Sequence, residues 1–469
     1  MLEEFENALG AGAVLSSAEA MAPYLSEWRG LFHGQALAVL RPSSTQAVSD
    51  AVRLAARHRL KIVPQGGNTG LVGGQIPDDP KAHIILSAER LSAIRKLDSD
   101  GNSITVEAGV VLERIQQAAD AAERFFPLAL GAQGSCQIGG NISTNAGGTG
   151  VLAYGNTRNL VLGLEVVLAD GRIWNGLRAL HKNNTGYDLK QLFIGGEGTL
   201  GFVTAAVLKL FPKPRGRQVA FMGFASPHAA LATLNIAQGL AGSNLTGFEL
   251  MPRIGIEFTI RHLEGARDPL PGSYPWYALV EISSGRSEEE AEALMLEAFQ
   301  AASDKGHVAD AVLATSSTQQ AEFWRMRHGL SEVQKHEGGS IKHDVSVPVS
   351  RMPDFIVEAS AAVEAIIPNC RPVAFGHLGD GNIHFNVSQP IGGDRQAFLA
   401  EWDRVNTVVH DIVANYDGSV SAEHGIGRLK AKLMPQIKSD VELDMMRKVK
   451  QCLDPDGLFN PGALLPPEL

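Results

Sequence analysis

Between Thr45 and Gly74 the chain changes its hydrophobic period twice. "TQAVSDAVRLAARHRLKIVPQGGNTGLVGG" sets Val48, Val52 and Ala55 at helical spacing, then gives a short apolar run, then a glycine loop. That succession predicts a helix, a strand and a turn-rich connection. "AHIILS" and "SITVEAGVVL" have the β-branched, apolar character of strands, and "LERIQQAADAAERFF" returns to helical periodicity after Gly109. "FIGGEGTLGFVTAAVLKLFPKP" closes in an apolar strand and a proline pair near residue 214. From about Gly216 glycines thin out, and "WYALVEIS" and "SEEEAEALMLEAFQAAS" read as a strand and a helix whose serine and glutamates cap its start. "VAFGH" and "IHFNV" flank "LGDGN" as two arms of a β-hairpin, with glycines for positive φ. The tail "DPDGLFNPGALLP" is turn-rich but carries apolar anchors, which predicts that it packs onto the body.

At 469 residues the chain exceeds one comfortable core. The fall in glycine density places a boundary near residue 215, and the expected division is an N-terminal helical segment at 1–34, one unit at 35–214, a second at 215–422 and a closing segment at 423–469. Hydrophobic residues make up 44% and charged residues 20%, and no window approaches the roughly 18 apolar residues of a membrane span. A net charge of -10 without a Lys/Arg-rich run argues against nucleic acid as a partner. The acidic start "MLEEFENALG" lacks a secretory pattern, and Cys136, Cys370 and Cys452 form no C-x-x-C pair. A cytoplasmic protein is expected.

Fifty glycines exceed the ordinary share of roughly 7%, and they cluster. "PQGGNTGLVGG", "GAQGSCQIGGNISTNAGGTG" and "GGEGTLG" all fall before residue 215. Glycine is retained where backbone takes positive φ or approaches another group closely, and runs of main-chain N–H groups in such loops bind anions. One cluster alone is most simply a tight turn. Three in one unit favour a nucleotide cofactor. Neither the P-loop nor the Rossmann fingerprint fits, because the lysine of the first and the glycine spacing of the second are missing.

The hairpin brings His377 and His384 near one turn, with Asn386 two residues beyond His384 and so on its face. One histidine beside a turn is ordinarily a surface residue. A second segment, "GSVSAEHGIGRLK", adds Glu423 and His424, and two imidazoles with a carboxylate suit zinc or manganese. Adjacent side chains diverge on most backbones, so one of Glu423 and His424 can bind metal while the other faces a substrate. The residues alone permit either assignment. "FWRMRHGLSEVQKHEGGSIKHDVSVP" offers Arg325, Arg327, Lys335 and Lys342, which by themselves read as solvated charges, with Arg327 and Ser331 at i and i+4 on one helical face. A metal-dependent hydrolase could use the His/Glu set, but it would leave the glycine loops unexplained.

The glycine loops, in this order, resemble the flavin-binding domain of the vanillyl-alcohol oxidase and p-cresol methylhydroxylase superfamily. From about residue 35 to 465 the chain is similar to its D-2-hydroxy-acid dehydrogenases. The resemblance implies an α+β fold: a two-subdomain FAD-binding domain, an α+β substrate (cap) domain, and a C-terminal segment packing back on the FAD domain. It assigns FAD contacts to Pro64, Gly66, Gly67, Asn68, Thr69, Gly70 and Gly74, to Leu130, Gly131, Ser135, Gly139, Gly140, Ser143, Asn145, Gly147 and Gly148, and to Glu197, Gly201, Val203 and Asn460. Asn68 stands where some members carry a histidine bonded to flavin, so FAD is expected to be noncovalent. The resemblance makes His377, His384 and Glu423 ligands of a divalent metal, zinc or manganese, and His424 the catalytic base. It gives Arg327, Ser331, Lys342 and Asn386 to the substrate; Ser331 replaces a threonine of the family. The implied reaction is oxidation of D-2-hydroxyglutarate to 2-oxoglutarate, with D-lactate, D-malate and glycolate as alternatives. Electrons would pass to electron-transfer flavoprotein or a similar acceptor, and a homodimer is compatible with the resemblance.

Overall fold

The computed structural model describes residues 1–466, which form two compact units: 1–148 with 155–213 and 423–466, and 149–154 with 214–422. In the first unit the strands are β1 (Val14–Leu15), β2 (Ala38–Leu40), β3 (Lys61–Gln65), β4 (His83–Ser87), β5 (Ile94–Asp98), β6 (Ser103–Glu107), β7 (Arg124–Phe125), β8 (Val161–Val167), β9 (Ile173–Asn175), β10 (Phe202–Lys209) and β11 (Phe211–Pro212). They build a sheet of order β1-β2-β4-β3, an antiparallel sheet of order β5-β6-β10-β8-β9, and a small β7/β11 pair. In the first sheet β4 runs parallel to both β2 and β3, and the crossover between β2 and β3 is the helix Thr45–Arg57. Ser44 caps that helix by accepting from the Ala47 N–H, and Val48, Val52 and Ala55 are buried as their spacing requires.

Two predicted elements differ. The helix after Gly109 spans only Leu112–Ala121, because the chain turns at Glu123, with φ of +54°, and enters β7, which pairs with β11. The region 131–150, read as loop, contains the helix Ile138–Thr144. One of its two glycines serves packing: a Cβ on Gly139 would come within 2.7 Å of the Ala108 Cβ. The tail does pack down. Phe459 is buried and bridges Ile62 of β3, and Lys450 is held between the Asp454 carboxylate and the Thr199 carbonyl.

The second unit has one antiparallel sheet of β12 (Gly216–Phe224), β13 (Leu245–Pro252), β14 (Trp276–Ser284), β15 (Asp310–Leu313), β16 (Ser340–Ser346), β17 (Arg371–His377) and β18 (Asn382–Ser388), in the order β15-β12-β14-β13-β17-β18-β16. Strand alternation divides its side chains. Phe221, Met251, Tyr277, Val373 and Phe375 form a core with Phe323, Met326 and Leu330 of the helix Ser317–Val333. The opposite face carries Phe385, which meets Phe355 of the helix Met352–Ile366. Ser287 caps Glu288–Asp304 as its sequence predicts, accepting from the Glu290 N–H. No helix among the described residues is long and apolar enough to cross a membrane.

A charged knot closes one end of the helix Ser317–Val333. Glu337 binds Arg371 at 2.5 Å and His262 at 2.7 Å, with Arg261 on the same oxygen as His262. Burial alone would raise its pKa, but Arg371, His262 and Arg261 hold it at about 2. A carboxyl depressed below its ordinary value near 4 stabilises the fold above that value and loses the contribution as pH falls towards 2. Glu337→Gln should cost roughly 1–2 kcal/mol at pH 7, the gap narrowing from about pH 4 downward, as read from urea unfolding midpoints.

Candidate active site

In the first unit the three glycine loops are fastened to one another by contacts that allow no extra atoms. A Cβ on Gly67 would lie 2.1 Å from the Ser135 carbonyl, and one on Gly148 2.1 Å from that of Ala129. Asn68 is left-handed, with φ of +55°, and its Nδ2 donates to the carbonyls of Pro23 and Ser26. Gln75 braces the same loop by donating to the Gly70 carbonyl, and Gly74 approaches Gly427. Pro64 lies in β3, just ahead of Gly66 and Thr69. In the second loop Leu130 and Gly131 precede Ser135, whose hydroxyl donates to the Ala132 carbonyl. Ser143 donates to Gly139, and Asn145, left-handed at the helix end before Gly147, accepts the Arg158 N–H.

Glu197 has a role that its sequence context does not reveal. Its carboxylate accepts the N–H groups of Ile426 (2.7 Å) and Gly427 (2.6 Å), and its carbonyl accepts from the Asn460 side chain. Burial pushes the carboxyl pKa up against these donors. The side chain thus clamps the "SAEHGIG" segment, while Gly201 and Val203 lead into β10. On that segment Glu423 accepts the Gly148 N–H at 3.0 Å. Its Oε1 lies 3.9 Å from His424 Nε2, so these neighbours converge where divergence was expected. Gly425, with φ of +84°, bends the chain there.

A flavin dinucleotide fits this unit. The main-chain N–H groups of residues 67–75 make no hydrogen bond to another main-chain group among the described residues, which leaves donors for a diphosphate. Asn68 Oδ1, Gln137 Oε1, Asn141 Oδ1 and Asn460 Oδ1 are buried acceptors without a partner, suited to ligand hydroxyls and N–H groups. Gly131 and Gly140 face open space.

In the second unit the polar site lies on one sheet face, fixed by register. β17 pairs with β18 so that Phe375 opposes His384 and His377 opposes Asn382. β16 sets Asp344 opposite His384 and Lys342 opposite Asn386, and β13 sets Glu249 opposite His377. The histidine rings are 5.6 Å apart. His377 Nδ1 is 2.7 Å from Glu249 Oε1, so a metal bond from this residue would use Nε2. Asp344 Oδ1 lies 3.8 Å from His384 Nδ1 and accepts from Asn382 at 2.9 Å. His384 and Asp344 belong to a group of donor atoms that lie within 4.8 Å of one another and could hold a divalent ion, and His377 stands outside that group.

From the helix Ser317–Val333, Arg327 reaches the same face, only 5% exposed. Its Nε donates to Glu249 Oε2 at 2.9 Å, and its guanidinium stacks 5.0 Å over Phe375. Nη2 is 2.7 Å from the same oxygen but off line, and it makes no hydrogen bond. Burial would raise the Glu249 pKa, yet His377 and Arg327 hold it at about 2. Asn386 is fixed by donating to Gln334, which in turn donates to the Leu330 carbonyl. Arg327 and Ser331 share a helix but not an environment: Ser331 is exposed, and Lys342 meets its carbonyl at 3.3 Å.

Sequence reasoning missed Glu249, Asp344 and Gln334. The legible signal for the first was a carboxylate inside the apolar run "LTGFELMP" of β13, since a buried charge must be paired.

Two protein families match this chain. Residues 36–176 match the FAD binding domain family, and residues 213–464 match the C-terminal domain of FAD linked oxidases. The structure of p-cresol methylhydroxylase with substrate bound superposes with a TM-score of 0.75 at 15% identity, over 99% of this chain and 96% of that one, which establishes the fold. The class is therefore an FAD-dependent oxidoreductase. A probable mitochondrial D-2-hydroxyglutarate dehydrogenase of Oryza sativa subsp. indica is 39% identical over 98% of this chain and 81% of the relative. The D-2-hydroxyglutarate dehydrogenase of Xanthomonas citri pv. viticola is 38% identical over 94% and 92%. This chain belongs to the D-2-hydroxyglutarate dehydrogenase family of FAD-linked oxidases.

Gly67 and Gly140 should respond differently to one methyl group. Gly67→Ala meets backbone and should lower the thermal midpoint, at a cost of about 1–3 kcal/mol. Gly140→Ala adds its methyl to open helical space, so the midpoint of the FAD-free protein should hold while bound FAD, read from the visible spectrum, falls.

Proposed function

We propose that this protein oxidises D-2-hydroxyglutarate to 2-oxoglutarate, with noncovalent FAD and a divalent metal, zinc or manganese. The observation that carries the reading is the sheet face on which His377, His384, Asn386 and Lys342 stand together under Arg327, in a chain with flavin loops. The family relationship supports the substrate class. Noncovalent FAD follows from Asn68, whose amide is no nucleophile and is bonded to Pro23 and Ser26.

His377, His384 and Glu423 would hold the metal. When bound, the metal lowers the pKa of a ligated hydroxyl, and FAD provides the hydride acceptor. The protein's own groups do the rest. Arg327 and Lys342 fix the C1 carboxylate so that the C2–H bond has one orientation. Asn386, held by Gln334, donates to the distal carboxylate. His424 Nε2, 3.9 Å from Glu423 Oε1, takes the C2 hydroxyl proton as general base. Ser331 acts at the rim through its carbonyl contact with Lys342. Electrons then leave to electron-transfer flavoprotein or a similar acceptor. Three free thiols, two of them buried, favour a reducing compartment such as the cytoplasm.

Anaerobic addition of D-2-hydroxyglutarate should bleach the flavin spectrum faster than D-malate, D-lactate or glycolate; equal bleaching by D-lactate would move the assignment to a D-lactate dehydrogenase. Arg327→Ala should lower kcat/KM at least ~100-fold, about 3 kcal/mol of transition-state stabilisation. Treatment with a chelator should abolish reduction by substrate while FAD stays bound, and added zinc or manganese should restore it.

A further inference from the structure

Glu249 touches neither substrate nor FAD in the reading above, yet its two oxygens are divided between two groups that matter there. Oε1 meets His377 Nδ1 at 2.7 Å, and Oε2 meets Arg327 Nε at 2.9 Å. We propose that Glu249 is a positioning residue whose single carboxylate sets both the imidazole of His377 and the guanidinium of Arg327, so that metal binding and substrate binding depend on one buried group. The inference rests on the dehydrogenase reading.

Three observations carry it. The first is register: Glu249 lies directly opposite His377 across β13 and β17, so the strand pairing itself delivers the carboxylate to the imidazole. A histidine with Nδ1–H bonded to a carboxylate is locked in the tautomer and ring orientation that present Nε2 as a more basic ligand. The second is the form of the arginine contact. An arginine present only to neutralise a buried carboxylate gains most from a two-pronged pairing with two parallel N–H bonds. Arg327 instead turns both Nε (2.9 Å) and Nη2 (2.7 Å) on the single oxygen Oε2, while Oε1 serves His377. The third is burial. Glu249 is 1% and Arg327 5% exposed, and water has little access to take over either bond. A buried ion pair is a poor source of stability by itself, because desolvation offsets much of the attraction. Its use here is orientation.

The test is Glu249→Gln in the FAD-bound protein, which keeps the shape and removes the charge. Zinc affinity is measured by competition with a chromophoric chelator, without turnover, and D-2-hydroxyglutarate affinity by anaerobic flavin reduction. The zinc Kd should rise about 10- to 100-fold, and the KM should rise more than tenfold, while FAD content stays at the wild-type level. An unchanged zinc Kd and KM would overturn the proposal. Because a lone buried Arg327 charge can destabilise the fold, the double variant Glu249→Gln/Arg327→Met removes both charges together; its zinc Kd should still rise, and a wild-type value would equally overturn it. The dehydrogenase reading fails separately, if the wild-type protein binds no zinc or is not reduced by the substrate.

Discussion

One buried carboxylate organises the second unit. Glu249 is carried into the protein interior by an apolar strand, where an unpaired charge would cost several kcal/mol. Only the simultaneous approach of His377 from β17 and Arg327 from the helix Ser317–Val333 makes its position tolerable. The same two contacts fix the crossing of that helix over the sheet, since Phe323, Met326 and Leu330 must pack on Phe221, Tyr277 and Phe375 while Arg327 reaches Glu249. Packing and charge pairing therefore demand one geometry, and the site residues on the face are by-products of it.

The first unit uses a carboxylate in a comparable way. Glu197 is half-buried, and its carboxylate accepts two main-chain N–H groups of the segment that follows Glu423 and His424. The first glycine loop forms neither helix nor strand, and the main-chain N–H groups of residues 67–75 make no main-chain hydrogen bond among the described residues. The consequence is a surface rich in unpaired donors and acceptors, which is the physical definition of a polar cofactor site. The flavin chemistry belongs to the cofactor, and the chain supplies the frame.

Much was legible from periodicity. The helix Thr45–Arg57, the strands β4, β6 and β14, the capped helix Glu288–Asp304 and the β17/β18 hairpin follow from spacing and turn residues, because these signals are local. The helix Ile138–Thr144 was hidden by its glycines, of which Gly139 is required by its contact with Ala108, a residue distant in sequence. Arg327 and Ser331 seemed equivalent by spacing, yet one is buried against Glu249 and the other is exposed. Helical phase gives a direction, and what lies in that direction is a tertiary matter.

By itself the sequence determined the elements, the three glycine loops, and the histidines on either side of a turn, all of which depend on neighbours within a few residues. It also carried the family resemblance, which requires only residues in order. The tertiary structure alone decided that Glu249 faces His377, that Gln334 holds Asn386, that Glu423 and His424 converge, and that Glu197 clamps their segment. These pairings join positions separated by up to more than a hundred residues. Sheet register and helix packing select them from many carboxylates of equal chemistry, because burial permits only the ones that find partners.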